Sequence, residues 1–382
     1  MKFTSSIKPL LEAVGHAVLA LPPKATDFRF ESITMTLDKK RLTLFATDGD
    51  IALQTSIEAD SGEKGVVSLQ AKKFLDILRN MYETVAEFKT DKKDGDNEVS
   101  FSIKTDRGTY RIAGSSQKPE QMAAAPEFDL TITMPASELK ALAEKTLFAA
   151  STDDMRPAMM GVLLEIESKQ LRAVATDGHR LVRFTKKMET GAKEKLKIIV
   201  PARVVNIVQK SLGGDGNVEI AISSKEQRIQ FTVGETTIIA GLIAENYPNY
   251  EAVIPLENDK KMLVNRSNMA GTIKRVARFS SRGDVRLAIT KDALQVSAEN
   301  TDEGSAAEES VPCEFQSDSI TIGFNSKFVE DALGHLDSDE VDFEFSTPTR
   351  ATIIRPKDSS SSSPDKKGDD LLMLVMPVRI NS

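Results

Sequence analysis

Apolar residues recur along this chain in two rhythms. One has period two. Val99-Ser100-Phe101-Ser102-Ile103, Val218-Glu219-Ile220-Ala221-Ile222, Ile229-Gln230-Phe231-Thr232-Val233 and Val341-Asp342-Phe343-Glu344-Phe345 alternate apolar with smaller or polar side chains, and each predicts a half-buried antiparallel strand. The other rhythm is helical. In Ser5–Ala20, the positions Ile7, Leu10, Leu11, Val14 and Val18 fall on one face of a helix. The same reasoning predicts helices over Ala71–Met81, Ala136–Ala150, Pro201–Leu212, Asn265–Phe279 and Asn325–Leu336. Pro201 suits a first helical turn and Asn325 an N-cap. Short apolar strands, Val66–Leu69, Ile198–Val200 and Ile320–Ile322, precede the second, fourth and sixth helices.

The elements repeat in order. Leu42-Thr43-Leu44-Phe45-Ala46-Thr47-Asp48 matches Leu171-Arg172-Ala173-Val174-Ala175-Thr176-Asp177, and both match Leu294-Gln295-Val296-Ser297-Ala298-Glu299-Asn300. The alanines at 46, 175 and 298 are spaced by 129 and 123 residues, close to a third of the 382-residue chain. Helix, hairpin, strand and helix recurring three times in one order predict three copies of one unit. The expected domains are 1–128, 129–254 and 255–382, each α+β, an antiparallel sheet with two helices on one face. Lys93-Asp94-Gly95-Asp96 and Gly213-Gly214-Asp215-Gly216 read as turns. The Ser-rich stretch Asp358–Asp370 has nothing to bury and reads as a disordered loop inside the third domain, followed by the apolar strand Leu371–Met376.

Charge changes the picture when it is localised. The chain carries 50 Lys and Arg against 57 Asp and Glu, a net −7, which as a total argues against nucleic acid. The six proposed helices alone sum to +7, leaving −14 elsewhere. A basic helical surface meets phosphates without reading bases. With no Trp and few aromatics among these charges, it fits a duplex held by its backbone better than a single-strand stacking platform. Surface helices also take Lys and Arg for propensity and solubility alone. One cysteine, Cys313, excludes an intrachain disulfide framework and any multi-cysteine zinc site, and three scattered histidines offer no metal cluster. No metal and no cofactor are expected. No stretch reaches the length of a membrane span. Leu10–Leu21 comes nearest to a signal core, but it holds Glu12 and His16 with no small-residue cleavage pattern after Pro22-Pro23, so it reads as an amphipathic helix of a cytoplasmic protein.

Several strings carry a family resemblance. They are Ala175-Thr176-Asp177-Gly178-His179-Arg180-Leu181, Arg156 with Gly161-Val162-Leu163-Leu164-Glu165, Tyr247-Pro248-Asn249-Tyr250 with Val253-Ile254-Pro255, Val375-Met376-Pro377-Val378-Arg379-Ile380, and the opening Met1-Lys2-Phe3-Thr4. From residue 1 to 380 the chain resembles the bacterial sliding clamps, the β subunits of DNA polymerase III. The resemblance implies a non-enzymatic homodimeric ring of six domains that encircles double-stranded DNA and makes the polymerase processive. It further implies partners that dock short motifs in a cleft between the second and third domains: the polymerase III α subunit, the clamp loader δ subunit, other polymerases, ligase and mismatch-repair proteins. The cleft residues it implies are Met159, Thr176, Gly178, His179, Arg180, Leu181, Pro248, Val253, Val375, Met376, Pro377, Val378 and Arg379. Arg107 and Tyr110 fall on one side of the implied dimer interface, Arg278 and Phe279 on the other. Lys24 matches a DNA-contacting loop position, and helix charge adds Lys72, Arg203, Arg266, Lys274 and Arg275. The chain departs from the family pattern at Pro157-Ala158, Ala252, Arg278 and Asn381-Ser382.

Two other functions compete. Asp48, Asp177 and His179 could suggest a hydrolytic site, and Ser5-x-x-Lys8 and Ser137-x-x-Lys140 mimic a serine–lysine pair, but the companion motifs and any phosphate-binding Gly-Lys-Ser/Thr loop are absent. A repeat scaffold with no DNA role is the third reading.

Overall fold

The structure, a computed structural model, describes residues 1–24, 27–92, 97–116, 125–213, 215–357 and 369–379. Most of the Ser-rich stretch, the Lys93–Asp96 turn signal and Asn381-Ser382 lie outside these residues. Among the described residues there are six α-helices: α1 (Ile7–Leu19), α2 (Ala71–Arg79), α3 (Ala136–Thr146), α4 (Ala202–Ser211), α5 (Arg266–Val276) and α6 (Ser326–Gly334). Each corresponds to a helix expected from the apolar spacing. α1 buries Ile7, Leu10, Ala13, Val14 and Ala17, and α2 buries Ala71, Phe74, Leu75 and Leu78, the i, i+3, i+4 stripe of a helix on a core. Asn325 caps α6 by accepting from Lys327 N at 3.1 Å, and Asn265 caps α5 by accepting from Asn268 N at 2.9 Å.

Two expected boundaries move. Ser5 and Ser6, expected in the first helix, instead end a strand, Lys2–Ser6, because Phe3 and Ser5 alternate inward while the strand pairs with Val85–Lys92. Pro201 ends the strand Leu196–Pro201 instead of starting α4. That strand is the last of its sheet, where a residue without an N–H leaves no ladder partner unsatisfied.

The chain divides into two compact units, one of residues 1–140 and 203–242, the other of 141–202 and 243–382. Each is built on one antiparallel sheet, of 13 strands in the first and 12 in the second. This division cuts the central third, because the sheets continue from one repeat into the next. In the first unit Thr236–Gly241 pairs with Ile51–Glu58, with Ile238 opposite Leu53. In the second, Arg180–Lys187 pairs with Asp370–Val375, with Val182 opposite Met373. Both joints use the same two elements: the strand after a Thr-Asp-Gly turn and the last strand of the following repeat.

The first core is centred on aromatics. Phe3 stacks on Phe88 at 4.8 Å between centroids, and Phe101 meets Phe88 and the edge of Phe74. In the second unit Leu163, Val174, Leu181, Ile199, Tyr250, Ile353, Leu372 and Leu374 form one buried cluster, with Ala158, Ile243, Tyr247 and Ile254 packed on its margin.

Candidate functional site

The repeated Thr-Asp-Gly string is first of all a turn. Thr47 Oγ1 donates to Ile51 O at 2.8 Å, and Asp48 Oδ1 accepts from Asp50 N and Ile51 N at 3.0 and 2.7 Å. The second copy repeats it. Thr176 Oγ1 donates to Arg180 O at 2.6 Å, and Asp177 Oδ1 accepts from His179 N and Arg180 N at 2.9 and 3.0 Å. Gly49 and Gly178 have φ of 100° and 91°, a region an L side chain rarely adopts. The two aspartates that could have suggested hydrolysis are thus engaged with backbone N–H groups.

Each turn also sits beside an arginine brace. Arg203 pairs with Asp48 and donates to Ala20 O and Leu21 O at 2.9 and 3.0 Å, the carbonyls at the end of α1. Arg180 pairs with Asp177 at 3.0 Å and Asp331 at 2.5 Å, and donates to Phe148 O at 2.6 Å. Its guanidinium also lies 5.3 and 4.9 Å from the ring centroids of Phe148 and Phe328. Arg180 was expected as a lining residue of the cleft. The structure makes it a largely buried tie between strand, α6 and the turn after α3.

The remaining expected cleft residues lie on segments of the second unit that are tied to one another by hydrogen bonds. Met376 N donates to His179 O at 2.8 Å, so the terminal segment runs beside the Thr176–Leu181 string. Met159 lies in the 3-10 turn Pro157–Met160. Arg156, the residue before that turn, donates to Asp177 O at 3.1 Å. Tyr247 Oη donates to Val174 O at 3.4 Å, fixing the connector that carries Pro248 and Val253. Pro248, Val253, Gly178, His179, Met376 and Arg379 are exposed, and Met159, Pro377 and Val378 half-buried. Thr176, Leu181 and Val375 correct the expectation: at 7%, 1% and 1% exposed they lie beneath the surface instead of lining it. Pro377, Val378 and Arg379 line a cavity of about 740 Å³ with Arg286, Gly323 and Thr349, and none of the other expected cleft residues is in its lining. Sequence reasoning missed Phe328, whose ring stacks on His179 at 6.0 Å. The available signal was an apolar residue off the buried Ser326, Val329, Ala332, Leu333 face of α6.

Three family models match nearly end to end: the DNA polymerase III beta subunit N-terminal domain over residues 1–114, the central domain over 133–249 and the C-terminal domain over 251–366. The chain belongs to the DNA polymerase III beta subunit family, the bacterial sliding clamps. The beta sliding clamp of Pseudomonas aeruginosa is 26% identical with each chain covered in full, and that of Bacillus subtilis 24% identical with 99% of this chain and 100% of that one covered. Among solved structures, the sliding clamp of Bartonella birtlesii bound to griselimycin is 27% identical with a TM-score of 0.89, and the beta subunit of Thermotoga maritima 22% identical with a TM-score of 0.88, each covered in full.

For a sliding clamp, the cations expected to face DNA divide into two groups. Lys24 and Lys274 are exposed, and Lys72 reaches no further than Pro23 O at 3.0 Å. Arg203, Arg266 and Arg275 are not free cations. Arg203 is braced as above, Arg266 donates to Ser338 O and Leu333 O at 2.8 and 3.4 Å, and Arg275 pairs with Glu309 at 2.6 Å. The physical reason is common to the first two: a guanidinium near a helix end satisfies carbonyls left without partners. Of the clamp residues expected at an interface, Tyr110 borders a 560 Å³ groove with Lys73, Ile77 and Met81 of the α2 region, while Arg107 lies over the Tyr82 ring at 4.2 Å. Phe279 is 40% exposed, in a 3-10 turn against the strands Ala293–Asn300 and Ser305–Phe315.

Proposed function

We propose that two copies of this chain join head to tail into a six-domain ring that encircles duplex DNA, tethers the replicative polymerase at bacterial replication forks and docks partner peptides on the groove around Met159, His179, Pro248, Val253 and Met376. The observation that carries this reading is a missing joint. The first and second repeats each present the strand after the Thr-Asp-Gly turn to the last strand of the next repeat. The third repeat has the equivalent strand, Ser305–Phe315, and over Ala306–Pro312 its second edge pairs with nothing among the described residues. The first repeat has the equivalent last strand, Thr109–Ser115, free on one edge over Tyr110–Ala113. A strand edge left open is a template for another chain.

The register follows from the repeat. Ile112 faces Phe101 as Ile238 faces Phe231, and Ala307 faces Ala298 as Leu53 faces Ala46. A third joint of the same kind sets Ile112 of one copy opposite Ala307 of the other, and therefore Arg111 opposite Glu308. Opposite charges directly across a ladder stabilise it. Sedimentation at micromolar concentration should give a dimer. A labelled protein placed on nicked circular DNA by a clamp loader should stay through gel filtration and be lost when the circle is cut. A monomer, or equal retention on both forms, overturns the ring. Titration with a polymerase-type clamp-binding peptide should saturate, and Met376→Ala should weaken it; unchanged affinity removes the groove.

A further inference from the structure

The connector that forms one wall of that groove is anchored by Tyr250 in the buried apolar cluster and by Tyr247 and Ile254 on its margin. A cavity of about 380 Å³ lies under it, bounded by Leu163, Lys197 and Ile199 from the sheet and by Glu245, Tyr247 and Tyr250 from the connector. Val253 is 54% exposed, whereas Pro248 borders the cavity itself. A polar set also crosses to the sheet, beside the bond from Tyr247 Oη to Val174 O. Tyr250 Oη donates to Glu165 Oε2 at 2.8 Å. Arg172 Nη1 lies 2.9 Å from the same oxygen, 3.2 Å from Tyr250 Oη and 3.4 Å from Glu251 Oε1. Lys197 Nζ holds the other oxygen of Glu165 at 2.6 Å. The carboxylate is 2% exposed, so each donor lost leaves a buried charge short of a partner.

We propose that Glu165, Arg172 and Tyr250 form a positioning latch that fixes the height of the connector and so presents Val253 to a docked peptide. This rests on the groove reading given above. The latch touches no peptide itself. It removes the cost of ordering the connector at the moment of binding, which is how a preorganised wall raises affinity.

A double-mutant cycle on the full-length protein tests it, reading the affinity of a fluorescent polymerase-type clamp-binding peptide by anisotropy. Tyr250→Phe keeps the ring in the core and deletes only the hydroxyl. It should weaken binding about three- to tenfold, the scale of one hydrogen bond to a charged group only partly transmitted. Val253→Ala should weaken binding too, and the double variant should bind within about twofold of Val253→Ala, because a misplaced connector no longer matters once its contact is gone. Amide exchange over residues 247–253 should accelerate in Tyr250→Phe and slow again on adding peptide. If Val253→Ala weakens binding and Tyr250→Phe leaves it unchanged, the latch is wrong and the groove stands. If neither matters, the groove fails and the latch with it. Strict additivity shows that Tyr250 acts on general stability and overturns the latch.

Discussion

Glu165 shows what a single side chain contributes in this molecule. Burial pushes its carboxyl up, but hydrogen bonds from Lys197 and Tyr250 outweigh that and hold it below the usual glutamate range. A depressed acid contributes stability that is present above its unfolded value, roughly pH 4.3, and is lost as pH falls through the folded value. Thermal melts from pH 6 down to pH 3 should therefore show a steeper loss for the native chain than for Glu165→Gln, which is less stable at neutral pH and flatter in acid. Tyr250 works at the other end. Burial raises its phenol to about 12, so its proton stays on well past neutrality and the donor to Glu165 is retained. None of this was legible beforehand. Glu165 stood in the sequence as one letter of a family string, and its partner Tyr250 is 85 residues away. Arg180 is the same lesson: motif position marked it, but its partner Asp331, 151 residues on, turns an expected lining residue into a brace.

At the scale of elements the chain is far more readable, because helix faces and strand alternation are local. The apolar stripes of α1, α2, α4, α5 and α6 were visible as spacing, as were the alternating strands around Phe101, Phe231 and Phe343. Ends were less so. Lys2–Ser6 is strand because of Val85–Lys92, and Pro201 is strand because its sheet stops there, both non-local facts. The joints between repeats were invisible for the same reason, although the repeat itself made them comparable once seen. Their comparison gives an element-scale prediction. Arg111→Glu should raise the dimer dissociation constant about fivefold by setting like charges across the ladder, and adding Glu308→Arg should recover most of it. Sedimentation equilibrium on both variants decides this; no change in either places the contact elsewhere.

For the whole molecule the telling quantity is how charge is shared out. A net −7 hides cations on the helices, several of which are already neutralised by their own neighbours. Arg275 holds the Glu309 carboxyl below its usual range, and in return contributes little to a field felt at a distance. Of the cations expected to face DNA, the proposed ring would then leave Lys24, Lys72 and Lys274 to meet it, which suits a tether that has to move. Lys24→Glu together with Lys274→Glu should shorten the lifetime on circular DNA and reduce its salt dependence, while leaving the dimer and peptide affinity as they were. A lifetime equal to that of the native chain would show that topology alone retains it.

The arginine braces bear on where such a ring parts. Two of its three kinds of seam carry a rivet: Arg203 on Asp48 and the end of α1, Arg180 on Asp177, Asp331 and Phe148. In the third repeat the aspartate is replaced by Asn300, whose side chain accepts from Asp302 N at 3.2 Å within its own loop. In the proposed ring the seam between two chains would therefore lack the aspartate on which the other two rivets close. If two chains close into the proposed ring, the expected outcome is that a pulling force parts it first at that seam.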